Sequence, residues 1–329
     1  MSLRLSLALE DGFDPGPAGG ICVLRPRADL DLSRFPKDRI LVVQPFRPDF
    51  ESFAAQGYRC VPSLPEERFA ASLVCLTRSR IVNRDLVASA ARQTDGPVLV
   101  DGAKTDGIDS LLKELRKRIG ISQPIAKAHG KVAWFTAEPK PFDDWQVAAF
   151  RDADGFKTAP GVFSADGVDP ASALLRDALP ADLGRRVGDL GAGWGYLSAA
   201  ILEQTQVETL HLVEADHVAL ECARLNLAED ARAKFHWADA TTWKAPAPLD
   251  AIVMNPPFHT TRSAEPELGQ RFITSAASNL SPRGQLWMVA NRHLPYEDIL
   301  AKTFAKVTEV CGNGRFKLLH AARPRRNRV

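Results

Sequence analysis

Asn255-Pro256-Pro257-Phe258 follows an apolar stretch, residues 251–254, and its residue types suit the handling of a flat ring that carries an amine. Two prolines fix the backbone and remove two N–H donors, which leaves a rigid loop rich in acceptors. An amine conjugated to an aromatic ring is a poor nucleophile. Two acceptors, the Asn255 side-chain oxygen and the Pro256 carbonyl, can bond both of its hydrogens and draw its lone pair out of conjugation, so no strong base is needed. Phe258 supplies a face for stacking, worth ~1–3 kcal/mol per base. Pro257 and His259 flank the same ring; His259 reads as a substrate or structural contact ahead of a general base. Taken alone, the tetrapeptide is equally an ordinary turn.

Asp189-Leu190-Gly191-Ala192-Gly193-Trp194-Gly195 is the second chemical run, set between an apolar strand and a helix. Gly191, Ala192 and Gly193 let the backbone approach a ligand, and a helix start offers N–H groups. Dinucleotide folds use the same arrangement. Asp189 tips the choice, since a carboxylate there repels a pyrophosphate and faces the cationic amino-acid end of S-adenosylmethionine. Glu214 ends the next strand, where an acid accepts from ribose hydroxyls. Asp239, followed by Ala240, is placed for an adenine amino group; a cap before Thr241 and Thr242 is the competing reading. A sulfonium methyl and an activated amine together make a methyl transfer, driven mainly by alignment.

The elements that must position these runs are legible as periods. Residues 186–190, 209–214, 234–238, 250–254 and 284–290 read as strands alternating with helices over 195–204, 217–228 and 265–280. Residues 307–311 and 316–321, about Gly312-Asn313-Gly314, read as an antiparallel hairpin with positive φ in its turn. This is an α/β doubly wound sheet closed by a hairpin, the outline of a class I methyltransferase. The first half shows strands at 40–43, 73–76 and 98–100 and a helical stretch at 108–119, hence a second α/β layer. Leu3, Leu5, Leu7 and Leu9 alternate like a strand. Pro and Gly punctuation over 137–170 puts the junction near 125–160, with domains at 1–140 and 141–329. Residues 71–80 match 249–258 in layout, which leaves duplication and mere fold-rule similarity equally open.

Composition bounds the class. The 329 residues are 45% hydrophobic and 25% charged, with net charge +2, so the chain is globular and any nucleic acid must meet local patches. Five scattered cysteines without a CxxC pair speak against disulfides and zinc, for a reducing cytoplasm, and for no metal. Nothing approaches ~18 consecutive apolar residues, so no membrane span is expected. Residues 315–329 hold Arg315, Lys317, Arg323, Arg325, Arg326 and Arg328 and no acid, which reads as a phosphate-contacting or simply solvated tail.

Pro160-Gly161-Val162-Phe163-Ser164 with Asp169, the Asp189 to Gly195 loop, Asn255-Pro256-Pro257-Phe258-His259, Ala290-Asn291-Arg292-His293-Leu294-Pro295-Tyr296 and Gly314-Arg315-Phe316-Lys317 together resemble the RsmC-type ribosomal RNA guanine-N2 methyltransferases of bacteria. The resemblance implies methylation of the guanine 2-amino group in small-subunit (16S) ribosomal RNA. It also implies a degenerate methyltransferase-like N-terminal domain that aids folding or RNA capture, with ribosomal RNA or the small subunit as partner; a monomer is expected. By the same carry-over Phe163 and Asp169 lie near the cofactor, while Asn291 and Tyr296 flank the base. Trp194 departs from the small or aliphatic residue usual in that loop.

Rival readings remain open at this level. Large-subunit guanine-N2 enzymes share the motif set, and adenine-N6 or protein glutamine-amide methylation suits the Asn255 loop equally. A nicotinamide-dependent reductase fits the glycine loop but not Asp189. A non-catalytic RNA-binding module fits the first half only.

Overall fold

In the computed structural model, residues 2–257 and 266–325 are described. Phe258, His259, Arg326 and Arg328 lie outside the described residues. Contacts divide the chain into Met1–Ala149 and Phe150–Val329.

The alternating leucines at the start form helix α1 (Ser2–Glu10) rather than a strand. The helical face formed by residues 4, 5 and 8 explains the difference: Leu5 and Ala8 are buried, while Leu3 is left outside. Arg4, also buried, grips Asp101 through two nitrogens at 2.5 and 2.9 Å. Downstream of α1 the first unit runs β1 (Ile21–Leu24), β2 (Ile40–Val43), α2 (Arg47–Ala55), β3 (Arg59–Val61), β4 (Ala71–Cys75), α3 (Arg80–Gln93), β5 (Pro97–Ala103), α4 (Ile108–Leu115), β6 (Ile125–Lys127) and β7 (Gly130–Thr136). Strands β1, β2 and β4 are unbroken apolar or small runs buried along their whole length, as parallel strands covered on both faces must be. Residues 125–136, expected at the domain junction, instead close this sheet as an antiparallel pair. Phe142 and Trp145, past the boundary expected at residue 140, belong to the first unit's core.

The second unit opens with a small hairpin, β8 (Arg151–Ala153) and β9 (Phe156–Thr158). It continues through α5 (Pro170–Asp177), β10 (Arg186–Leu190), α6 (Tyr196–Leu202), β11 (Thr209–Glu214), α7 (His217–Asn226), β12 (Ala233–Trp237), β13 (Leu249–Met254), α8 (Pro266–Asn279), β14 (Leu280–Asn291), α9 (Glu297–Thr303), β15 (Phe304–Gly312) and β16 (Phe316–Pro324). Its sheet order is β12-β11-β10-β13-β14-β16-β15, and the first unit's is β3-β2-β1-β4-β5-β7-β6. In both, five parallel strands carry an antiparallel pair at one edge. Strand β4 therefore holds the place of β13, the correspondence that the layout of 71–80 and 249–258 suggested. The class I methyltransferase fold is present in the second unit, with a second domain of the same topology before it.

The hairpin turn differs in mechanism from the sequence expectation. Neither Asn313 nor Gly314 has positive φ. The Asn313 side-chain oxygen accepts from the N–H groups of Arg315 (2.8 Å) and Phe316 (2.9 Å), so an Asx turn does the work.

Candidate functional site

In an open α/β sheet, ligands sit beyond the carboxyl ends of the strands where the strand order reverses, here between β10 and β13. Leading out of β10, Gly191, Gly193 and Gly195 have φ of 77°, 56° and 91°, a backbone path that side chains with a Cβ resist. The N–H groups of this loop are spent within the protein. Gly191 and Ala192 donate to the Val213 carbonyl at 2.8 and 3.2 Å, and Gly193 donates to Glu214 Oε2 at 2.8 Å. The expected free donors are therefore absent at these three residues, which precede α6 and make no cradle for a pyrophosphate. Its floor is acidic instead.

Asp189 lies at the end of β10 but not on a cleft wall, which corrects the expectation that it faces a ligand directly. It is fully buried, Oδ2 accepts from the Ser198 hydroxyl at 2.7 Å, and Oδ1 has no partner among the described residues. Burial pushes its pKa up to about 7, against the Ser198 bond, and the neighbouring Glu214 adds to the rise. Glu214, partly buried, is raised to about 6 by desolvation in spite of the N–H groups of Asp216 and Gly193. Such a pair of carboxylates, one with an unpaired oxygen, is stabilised by a cation nearby and not by a phosphate. These acceptors fit the ammonium end of S-adenosylmethionine, and Glu214 retains lone pairs for a ribose.

After Asp239 the chain makes a turn and no helix, so Asp239 holds a turn and does not cap a helix. Asp239 Oδ1 accepts from Thr241 N at 2.8 Å, and its Oδ2 lies 3.8 Å from Arg271. Ala240 is buried and its carbonyl accepts from Ser275 at 2.6 Å.

A cleft brings Phe163, Asp169, Gly191, Ala192, Gly193 and Asn255 together. Ser164 and Trp194, present in the sequence motifs, complete its walls with Ser172, Tyr196 and Leu197, which sequence reasoning missed. A larger, shallow depression beside Arg176, Glu203 and Gln206 contains none of these groups.

The arrangement of Asn255 decides what the cleft can do. Asp169 caps α5, accepting from Ser172 N at 2.8 Å, with Pro170 at the first helical position. The Asn255 amide nitrogen donates both hydrogens to this cap, to Asp169 Oδ2 at 3.0 Å and Ser172 Oγ at 2.9 Å. With the nitrogen held, the amide oxygen is turned away from the cap and has no partner among the described residues. Pro256 is buried and Pro257 exposed. The sequence signal for Ser172 was the Asp-Pro-x-Ser cap itself, but its bond to Asn255 spans 83 residues and no local pattern carries that.

The chain's matches agree with this geometry. A family model described as Methyltransferase small domain covers residues 154–320. A ribosomal RNA small subunit methyltransferase C from Shewanella amazonensis is 33% identical over 82% of this chain and 84% of its own. The chain belongs to this methyltransferase family. Another member, from Hahella chejuensis, is 32% identical over 72% of both chains. A solved structure titled as the 16S rRNA N2 G1207 methyltransferase (RsmC) of T. thermophilus, in complex with AdoMet and guanosine, superposes with a TM-score of 0.80. It is 25% identical and covers 96% of this chain and 90% of that one.

Two residues carried over from the family stand differently. Asn291, the last residue of β14, sits at the same sheet edge as Asn255. Tyr296, expected beside the base, is a core residue, fully buried among the side chains over α8 and closely packed on Gly269. Its hydroxyl has no partner among the described residues. An unsatisfied buried hydroxyl costs ~1–3 kcal/mol. Tyr296→Phe is therefore expected to keep full methyl transfer and raise the melting temperature by about 2–4 °C; a fall in kcat/KM would return Tyr296 to the base.

The basic carboxyl-terminal run also divides. Lys317 is buried and donates to the Leu294 carbonyl at 2.7 Å and to Glu297, so it braces a turn and does not reach a phosphate. Arg325 donates to the Phe304 carbonyl at 3.0 Å, whereas Arg315 is exposed over the Phe316 ring. No helix among the described residues is long and apolar enough to cross a membrane, and among them no three His, Cys, Asp or Glu side chains gather as a metal site.

Proposed function

We propose that this chain transfers the methyl group of S-adenosylmethionine to the exocyclic 2-amino group of a guanine in small-subunit (16S) ribosomal RNA. The observation that carries this is the Asn255 amide, whose nitrogen is tied to Asp169 and Ser172 so that its oxygen is left for the substrate. Similarity to the small-subunit family and to the guanosine complex supplies guanine and 16S RNA.

Bound S-adenosylmethionine supplies an electrophilic methyl group on a positive sulfur. The chain's own residues do the rest. Asp189 and Glu214 make the floor under the glycine loop negative and favour the amino-acid cation. Asn255 Oδ1 and the Pro256 carbonyl accept from the guanine amine, which localises its lone pair for attack. A fixed acceptor costs no reorganisation when charge develops, and holding the amine in line accounts for most of the acceleration. Phe258, Pro257, His259 and Asn291 are assigned to the base, and Phe163 to the cofactor.

For the first unit we propose a part in RNA capture or folding without chemistry. At the place of the catalytic loop, the chain after β4 is tied down by Asn83 of α3, which donates to the Thr77 and Asp106 carbonyls at 2.8 and 3.0 Å and accepts from Thr77 N at 2.7 Å. No acceptor comparable to Asn255 is presented there.

The test is incubation with labelled S-adenosylmethionine and, separately, small subunits, large subunits, DNA and a release factor. Label in 16S RNA as N2-methylguanine is expected. Label in adenine, in glutamine or in the large subunit alone contradicts the assignment.

A further inference from the structure

We propose that Trp194 is a positioning residue for the cofactor: its indole N–H fixes the strap of residues 159–168 so that Phe163 forms one wall of the cleft. This rests on reading the cleft as the S-adenosylmethionine site.

Trp194 sits inside the glycine loop, and its Nε1 donates to the Phe163 carbonyl at 3.0 Å. The indole is 4% exposed, with the Phe156 ring 5.0 Å away and Tyr196 5.7 Å away, so its orientation is set by packing on two sides. The backbone of Trp194 is tied to the same strand that enters the strap. Asn226 Nδ2 donates to the Trp194 carbonyl at 2.7 Å and the Lys157 carbonyl at 2.9 Å, while its oxygen accepts from Lys157 N at 2.6 Å. Glycine loop and strap are thus stitched together twice.

The strap is stiff in itself. Thr158 donates to the Ala165 carbonyl at 2.8 Å and Ser164 to the Gly167 carbonyl at 2.7 Å, and Gly161 and Ser164 take positive φ. Yet the Phe163 ring is 59% exposed at the cleft wall. A large aromatic ring held out of the core by a rigid backbone is positioned for a ligand to cover. Only an indole combines an apolar ring that fits between Phe156 and Tyr196 with a single N–H donor aimed outward. The bond is made to the backbone of residue 163, so it can be removed without touching the Phe163 ring.

The experiment measures S-adenosylhomocysteine affinity by calorimetry and steady-state kinetics for Trp194→Phe, Phe163→Ala and the double variant of the full chain. Absence of binding in the unaltered protein would sink the cofactor reading itself. With binding intact, Trp194→Phe is expected to raise the S-adenosylhomocysteine Kd and the S-adenosylmethionine KM about fivefold to tenfold, the worth of one hydrogen bond. At saturating S-adenosylmethionine, kcat should change less than about twofold, since the amine acceptors are untouched. In the Phe163→Ala background the same change should cost almost nothing, because Trp194 acts through that ring. A lowered melting temperature with unchanged Kd, or a penalty that adds in full to Phe163→Ala, overturns the proposal. Should Trp194→Phe fail to fold, β-(3-benzothienyl)alanine incorporated at position 194 decides: it keeps the bicyclic ring and its packing and removes only the N–H, so a raised Kd supports the proposal and an unchanged one overturns it.

Discussion

Replacing Asn255 by Ala is expected to lower kcat for methyl transfer by about 10²–10³-fold, the usual size of the effect when one preorganised polar group at a reacting centre is removed. S-adenosylhomocysteine affinity should change far less, because Asp189, Glu214 and the glycine loop do not depend on the Asn255 oxygen. Asp169 loses one donor and keeps the bond from Ser172 N that caps α5. Single-turnover rates alongside calorimetry separate the two quantities. Retained turnover would remove Asn255 from the chemistry, and lost cofactor binding would make it a structural residue.

Replacing Asp189 by Asn is expected to weaken S-adenosylmethionine binding by about tenfold, because the carboxylate buried beneath the glycine loop attracts the amino-acid cation through the low-dielectric interior without touching it. The pH dependence follows from the same burial. Asp189 has its pKa raised to about 7 in the folded protein, so its protonated form is the comfortable one without ligand. Stability from the neutral carboxyl is present at low pH and is lost as pH rises through about 7. A ligand ammonium reverses this preference by favouring the carboxylate. Affinity for S-adenosylhomocysteine should therefore rise roughly tenfold between about pH 6 and pH 8, and its thermal protection should rise with it. Glu214, raised to about 6, shares the lower part of that window. In Asp189→Asn most of the pH dependence should vanish. A flat profile in the unaltered protein would show that Asp189 carries no weight in binding.

How much of this was legible in the sequence depends on the kind of information needed. Strand and helix periods placed Asn255 and the glycine loop at the carboxyl ends of adjacent strands, because period and element order fix position along a sheet. The same reasoning found the hairpin but not its Asx turn, since Asn-Gly serves both. Residues 125–136 were hidden by the Pro and Gly signals that follow them. What the sequence did not carry is the spending of atoms. That Gly193 N–H belongs to Glu214, that Asp189 is sealed beneath its loop, and that Tyr296 faces inward all depend on contacts between distant segments. Leu3, Leu5, Leu7 and Leu9 misled for a simpler reason: a nine-residue run fits two periods, and the Arg4 pairing with Asp101 selects the helix. Asn255 itself stands out in the sequence, but its orienting partners, 83 and 86 residues earlier, are visible only once the chain is folded.

The most direct test of the central claim is a crystal structure of the protein with S-adenosylhomocysteine and guanosine. The guanine 2-amino nitrogen should lie at hydrogen-bond distance, about 2.9 Å, from Asn255 Oδ1 and face the cofactor sulfur, with the Asn255 nitrogen still on Asp169 and Ser172. A structure in which the amide oxygen turns toward that cap, or in which the guanine presents a different edge to the sulfur, would contradict the account.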